Sequence, residues 1–217
     1  METTPSVYWA YLEKRIAVAE TLRAFIAIEL TEEARQYLAL LTSSLRHNVD
    51  VAHGIRWVDP HGVHLTLKFL GNIPMARLDA VASAMEESAG GAPPFSLSIH
   101  GLGAFPELSA PRVLWAGVQG NLNPLLMVQT RLEESLAARG FPKEGRSFSP
   151  HLTLARVRGK LSPADMQHLA AAVESARSQP NQELPVQRLS LMESTLTPRG
   201  ALYARRGQIL LQPTLAR

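Results

Sequence analysis

The sequence predicts an α+β fold in which two small, mostly antiparallel sheets face one another and helices lie on the outside. Three observations lead to this prediction. Stretches of strand length alternate with stretches of helical periodicity, neighbouring strands look like hairpins rather than a regular parallel series, and the elements follow in two similar passes. Each pass contains the tetrad HLTL, at positions 64–67 and again at 151–154.

The first pass begins with RAFIAIEL (Arg23–Leu30), which is typical of a buried strand, and Thr31 can cap a helix that runs toward His47. GIRWV is a short strand, and DPHG is a turn by composition. VHLTLKFLG alternates strictly between apolar and polar residues, as a half-buried strand does. A helix is expected from Pro74 to about Ala89, with the proline near its start.

In the second pass, PFSLSIHGLGAF and PRVLWAGVQ are predicted strands joined by a loop rich in glycine and proline. Residues Asn121 to Arg139 form a predicted amphipathic helix that Gly140 ends. HLTLARV is the second alternating strand, and Ser162-Pro163 opens another helix. LPVQRLSLMEST and GQILL supply the last predicted strands.

Composition limits the classes of function. The 217 residues suit one domain or a two-lobed body, and 46% hydrophobic content is ordinary for a globular protein. A formal net charge of +3 tolerates an anionic ligand but lacks the dense basic character of a non-specific nucleic-acid binder. The absence of cysteine excludes disulfides and thiolate catalysis, no apolar run is long enough for a membrane span, and the first residues do not resemble a secretion signal. We therefore expect a cytoplasmic enzyme.

Alternation assigns the residues of each tetrad to two faces. His64, Thr66 and Lys68 are predicted to share one face of the first strand, and the other face is apolar: Val63, Leu65, Leu67 and Phe69. In the second strand His151 and Thr153 share a face opposite two leucines. Strict alternation would turn Arg156 to the wrong face, so it joins the tetrad only if a bulge or strand end intervenes.

Two histidines meet the needs of phosphodiester cleavage. One neutral imidazole accepts a proton from the attacking water, and a second, protonated imidazole gives one to the departing oxygen, each typically contributing about 10²–10⁴ in rate. The hydroxyls of Thr66 and Thr153 can donate to non-bridging phosphate oxygens, and Arg156 is a plausible bidentate partner for the same phosphate. The residues alone do not distinguish the acid from the base.

The paired tetrads resemble those of the two-histidine (2H) phosphoesterase superfamily. The surrounding segments are similar to its bacterial RNA 2′,3′-cyclic phosphodiesterase branch, also called the ThpR or LigT-like 2′-5′ RNA ligase family: RAFIAIEL, VHLTLKFLG, PRVLWAG, FSPHLTLARV and LMESTLTPRGALY. The similarity runs from Arg23 nearly to Tyr203. Residues 1–22 have no counterpart in the family pattern and are expected to be an N-terminal extension, with 23–217 forming a single two-lobed domain.

The resemblance implies a bilobal fold in which each lobe contributes one tetrad to a central cleft, with no metal and no cofactor. It implies hydrolysis of a 2′,3′-cyclic phosphate at an RNA or nucleotide end to a 2′-phosphomonoester. We expect the enzyme to act as a monomer. Carried over, His64 is the proton donor to the ribose 3′-oxygen and His151 the proton acceptor, while the phosphate-binding roles fall to Thr66, Thr153 and Arg156. Possible contacts with the terminal base or the cleft are Phe148, Phe25 and Lys68, although core packing is the competing interpretation for Phe25.

Three alternatives stay open on the sequence. Joining of 2′-5′ RNA ends is the reverse reaction and uses the same groups. A non-catalytic module that binds RNA ends needs phosphate donors but no matched pair of titrating groups, so two intact tetrads argue against it. A small cyclic nucleotide or related cyclic phosphate is a third candidate ligand. A metal site is not expected, because His61 and His64 have no carboxylate nearby at ligand spacing.

Overall fold

The computed structural model describes residues 21–48, 54–176, 179–198 and 200–213. Within them lie nine strands and four helices: β1 (Thr21–Glu29), α1 (Glu32–Asn48), β2 (Ile55–Trp57), β3 (His64–Pro74), α2 (Leu78–Ala89), β4 (Phe95–Phe105), β5 (Val113–Gln119), α3 (Asn123–Ala138), β6 (His151–Val157), α4 (Pro163–Ala176), β7 (Gln182–Val186), β8 (Arg188–Thr197) and β9 (Gly200–Leu210). Residues 1–20 of the expected extension lie outside this description.

The predicted elements are present, with shifted ends where local chemistry or pairing decides them. The Thr31 hydroxyl accepts a hydrogen bond from the amide of Ala34, as a cap of α1 should. After Pro74 the chain first makes a short 3-10 turn at Met75–Arg77, and α2 begins only at Leu78. The last strand is longer than the predicted GQILL, because β9 pairs with β8 from Gly200 onward as a hairpin.

The strands form two antiparallel halves of one curled sheet, in the order β7-β4-β5-β6-β3-β1-β8-β9, with β2 added beside β6. One half contains β3, β1, β8 and β9, and the other contains β6, β5, β4 and β7. A single residue pair, Leu65 with Leu152, joins β3 to β6 and therefore joins the halves. The predicted α+β fold with antiparallel strands is thus confirmed, with the two predicted sheets joined as halves of one curled sheet, and the two HLTL strands are the elements at which the halves meet.

The main hydrophobic core lies on the helical side of the sheet. The leucines of both tetrads are buried in it together with residues of all four helices, among them Leu38, Val81, Leu132 and Leu169. Since the apolar face of each tetrad strand is anchored there, the opposite face at the β3–β6 junction is left for polar groups. None of the described helices is long and apolar enough to cross a membrane.

Candidate active site

The two tetrads meet because β3 and β6 pair at Leu65 and Leu152. In an antiparallel pair the residues next to this contact face each other, so His64 lies beside Thr153 and Thr66 lies beside His151. All four side chains point away from the core. A cavity of about 110 Å³ opens on this face, lined by Arg23, Phe25, Val58, Gly62, Val63, His64, Thr66, Phe69, Thr153, Arg156, Ser194 and Tyr203.

His151 lies next to this cavity rather than in its lining. It shares the strand face of Thr153, two residues away, and is half-buried. Its ring packs edge-on against Phe105, with 4.9 Å between the ring centroids. The position of His151 is therefore set by the half of the sheet opposite to the one that holds His64.

The two imidazoles are oriented by the same local hydrogen bond. The Nδ1 atom of His64 lies 2.9 Å from the carbonyl oxygen of Gly62, and that of His151 lies 2.7 Å from the carbonyl oxygen of Ser149. A carbonyl oxygen only accepts, so Nδ1 carries a proton in both rings. Each Nε2 atom is then left for substrate, as a base when the ring is neutral and as an acid when it is protonated.

His64 lies in an aromatic setting. Its ring stacks on Phe25 with centroids 4.5 Å apart and meets Tyr203 edge-on at 4.9 Å. Burial lowers the pKa of His64, and this effect exceeds the opposing effects of the Gly62 hydrogen bond and of the negative charge on Glu29. In the ligand-free protein the neutral form of His64 is therefore favoured near pH 7.

Glu29 supplies a fixed negative charge beside His64, its Cα partner across the β1–β3 pairing. Burial alone would raise the pKa of Glu29, but hydrogen bonds from Ser190 (2.6 Å) and Arg205 (3.1 Å) outweigh it and hold the pKa below its usual value. The carboxylate stays ionised at neutral pH and favours a protonated His64. No pattern in the sequence had identified Glu29 as part of the site.

A β-bulge turns Arg156 toward the cavity. In the β5–β6 pairing Trp115 lies opposite Thr153 but Leu114 lies opposite Ala155, so Leu154 is the extra residue. Leu154 and Ala155 are consequently both buried, and alternation resumes with Arg156 on the face of His151 and Thr153. This is the bulge that the predicted role of Arg156 requires.

A second bulge, at the equivalent position of β3, contradicts the prediction for Lys68. Ala27 lies opposite Thr66 but Ile26 lies opposite Lys68, so Leu67 is extra and Lys68 turns into the core, where it is only 4% exposed. Its Nζ atom donates to Glu133 at 2.9 Å and to the carbonyl oxygen of Pro142 at 2.7 Å. The prediction that Lys68 shares the face of His64 is wrong, and Lys68 does not line the cavity.

Phe69 takes the place on the cavity face that Lys68 was predicted to hold. It was assigned to the apolar face, but the bulge leaves it 53% exposed in the cavity wall. Phe25 is 2% exposed and lies beneath His64 at the cavity floor. Phe148 is half-buried, packs against the main core and is not among the residues that line the cavity.

Arg23, Ser194 and Tyr203 are further cavity residues that sequence analysis did not identify. The guanidinium of Arg23 donates to the Ser194 hydroxyl at 3.1 Å. Alternation along β1 was an available signal, because Arg23, Phe25 and Glu29 are separated by even numbers of residues. Ser194 and Tyr203 come from the C-terminal hairpin, and no local pattern links that hairpin to the tetrads.

The arrangement can bind a tetrahedral anion and transfer protons to and from the reacting oxygens. Two threonine hydroxyls and one guanidinium supply donors, and two imidazoles with free Nε2 atoms stand on either side of the Leu65–Leu152 contact. In the described ranges, no group of three or more His, Asp or Glu side chains is placed to hold a metal ion.

Comparison with known proteins gives consistent matches. A sequence model described as the 2′-5′ RNA ligase superfamily matches residues 30–197. The RNA 2′,3′-cyclic phosphodiesterase of Methanothermobacter thermautotrophicus is 32% identical over 182 residues, which cover 84% of this chain and 95% of the relative. The RNA 2′,3′-cyclic phosphodiesterase of Thermotoga maritima is also 32% identical over 182 residues, covering 84% of this chain and 91% of the relative.

Solved structures share the fold. The crystal structure of TT0787 of Thermus thermophilus superposes with a TM-score of 0.69 at 28% identity, covering 88% of this chain and 98% of that one. E. coli LigT complexed with 3′-AMP superposes with a TM-score of 0.67 at 22% identity, covering 88% of this chain and 99% of LigT.

Proposed function

Because this chain belongs to the 2′-5′ RNA ligase superfamily, we propose that it is an RNA 2′,3′-cyclic phosphodiesterase that hydrolyses a terminal cyclic phosphate to a 2′-phosphomonoester. One observation carries the proposal. The single pairing of Leu65 with Leu152 brings both histidine-threonine pairs to the same face of the sheet. The curated relatives carry the name of this activity and match along nearly their whole length, which supports the same chemistry here.

In the proposed mechanism the phosphate lies between the two tetrads. The Nε2 atom of His151 takes a proton from water as the water oxygen attacks phosphorus. The bond from phosphorus to the ribose 3′-oxygen breaks, and His64 gives that oxygen its proton, leaving the phosphate on the 2′-oxygen. Thr66, Thr153 and Arg156 donate to the non-bridging oxygens, where negative charge increases in the transition state.

The surroundings of His64 suit an acid whose protonation is promoted by bound substrate. Burial disfavours the charged ring in the ligand-free protein, while Glu29 favours it. A phosphate anion next to the Nε2 atom adds a second negative charge on the other side of the ring, which raises the pKa of His64 and opposes the effect of burial. The hydrogen bond to Gly62 keeps the ring in the orientation in which Nε2 faces that anion.

The proposed enzyme uses no metal and no cofactor and acts as a monomer. One chain supplies both histidines, both threonines and Arg156, which supports a site that needs no partner subunit. We propose that residues 23–217 form one catalytic domain. We also propose that the protein works in the cytoplasm, because a chain without cysteine needs no disulfide and is compatible with a reducing compartment.

Product analysis tests the proposal. An oligonucleotide ending in a 2′,3′-cyclic phosphate is incubated with the protein in the presence of a chelator, and the product is examined by mass spectrometry and chromatography against 2′- and 3′-phosphate standards. We expect one added water and only the 2′-phosphate. Absence of turnover, a 3′-phosphate product, or activity lost with the chelator would each contradict the proposal.

The same assay separates the alternatives. With a second RNA carrying a 5′-hydroxyl, ligation produces a longer strand, whereas hydrolysis produces the same phosphomonoester with or without it. A non-catalytic module binds the oligonucleotide and returns it unchanged.

A further inference from the structure

A second cavity, of about 710 Å³, opens where β6 ends, beyond Arg156. Three segments enclose it: the loop between β4 and β5, the residues that follow β6, and the first turn of α4. Its lining is Ser109, Ala110, Pro111, Arg112, Val157, Arg158, Gly159, Lys160, Leu161 and Met166. This volume lies within the range typical of small-ligand pockets, roughly 300–1,000 Å³.

The side chains that line this cavity carry positive charges that no described carboxylate neutralises. Arg112, Arg158 and Lys160 are exposed, and none of their side chains has a hydrogen bond or ion pair with another residue in the ranges described. The described residues that line the cavity include no carboxylate. Three like charges gathered on one concave surface repel each other unless an anion lies between them. The chemistry of this cavity therefore favours an anionic ligand.

The cationic surface continues into the catalytic cavity. Arg156 lines that cavity, and Arg158 follows two residues later, just past the end of β6 at Val157, roughly 7 Å away along the extended chain. Across the sheet, Arg56 is the Cα partner of Arg156, and the amide of Val157 donates to the carbonyl oxygen of Arg112 at 2.9 Å. The guanidinium groups of Arg56 and Arg156 also lack hydrogen-bond or ion-pair partners among the described residues.

We propose that this cavity binds the phosphodiester backbone of the nucleotides upstream of the cyclic end. Its preferred substrates are then RNA oligomers rather than cyclic mononucleotides. The inference rests on the proposed function and adds the site that holds the nucleotides before the cyclic end. Arg112, Arg158 and Lys160 contact phosphates, and an apolar wall formed by Pro111, Val157, Leu161 and Met166 receives the sugar and base. From Thr153 to Arg158, one residue past the end of β6, the chain covers roughly 15 Å, which an RNA strand of a few nucleotides spans.

The test compares a triple variant, Arg112→Gln, Arg158→Gln and Lys160→Gln, with the native protein on two substrates. For an RNA hexamer with a 2′,3′-cyclic phosphate we expect KM to rise about tenfold, with kcat little changed, since contacts remote from phosphorus are lost. The salt slope of kcat/KM should flatten by roughly 0.7 for each contact removed. For a 2′,3′-cyclic mononucleotide, which does not reach the cavity, both constants should match those of the native protein.

A matched control removes the same charge elsewhere: Arg131→Gln, Lys143→Gln and Arg188→Gln. These three are described side chains outside both cavities. The control should leave the hexamer KM unchanged. A similar KM increase in the control, equal losses on both substrates, or a native protein with no preference for the hexamer would each overturn the inference.

A binding measurement distinguishes a failure of the proposed hydrolytic function from a failure of the proposed RNA-binding cavity. If the native protein turns over neither substrate, the proposed function fails. The cavity is then judged by fluorescence anisotropy with a hexamer that ends in a 2′-phosphate. Affinity about tenfold weaker in the cavity variant than in the control variant supports the inference, and equal affinity overturns it.

Discussion

Replacing either His64 or His151 with alanine is expected to lower kcat for cyclic-phosphate hydrolysis by about 10²–10⁴ while the fold persists. Each ring supplies one of the two proton transfers, and water replaces an oriented imidazole poorly. Neither ring contributes to the main hydrophobic core, so circular dichroism and the melting temperature should change little. Steady-state rates on the cyclic-phosphate oligonucleotide measure the loss directly.

Two comparisons make the histidine result specific. His168 is an exposed residue of α4 that lines neither cavity, and His168→Ala should keep the native rate. The double variant of His64 and His151 should be only slightly slower than the slower single variant, because groups that act as a unit are not additive. Turnover within twofold of the native rate in either single variant would remove that histidine from the mechanism.

Lys68→Met is expected to lower the free energy of unfolding by about 3 kcal/mol. The Lys68 and Glu133 side chains are 3% and 13% exposed, and the ammonium also donates to the carbonyl oxygen of Pro142. Removing the cation leaves a mostly buried carboxylate without its counter-charge. This destabilises the protein more than replacing both partners by apolar residues. Chemical denaturation followed by circular dichroism gives the free energy.

A second substitution separates charge from packing. In Lys68→Met with Glu133→Leu the stranded carboxylate is gone, and much of the lost stability should return. Both variants should keep the native kcat at a temperature where they are folded, because Lys68 points away from the cavity. If Lys68→Met instead lowered kcat/KM without loss of stability, Lys68 would be a substrate contact, as alternation along VHLTLKFLG had predicted.

Lys68 and Arg156 show where sequence reasoning reaches its limit. Alternation correctly places His64 and Thr66 on one strand face, and His151 and Thr153 on one strand face. Three consecutive residues of a regular strand are enough to decide this. A bulge at the fourth residue of each tetrad then reverses the faces. A bulge depends on the register with the neighbouring strand, which a single segment does not encode. The sequence indicated that Arg156 can join the site only after a bulge. It did not indicate that a bulge also precedes Lys68.

The walls of the site depend on contacts between distant segments. Tyr203 lies against His64 because β8 and β9 pack beside β1, on the lobe that holds the first tetrad. Glu29 was visible as the end of a predicted strand, yet its effect on His64 follows from the β1–β3 register. The order of the elements and the approximate extent of the helices were predictable, because propensity, periodicity and capping act within a few residues.

The pH dependence of kcat is the most direct measurement of paired-imidazole catalysis. His151 must be neutral and His64 protonated at the same time, so activity should fall on the acid side as the base becomes protonated and on the alkaline side as the acid loses its proton. Between about pH 5 and about pH 9, where imidazoles titrate, the profile of the native protein should therefore be bell-shaped. A rate that stays constant across this range would contradict proton transfer by the two histidines.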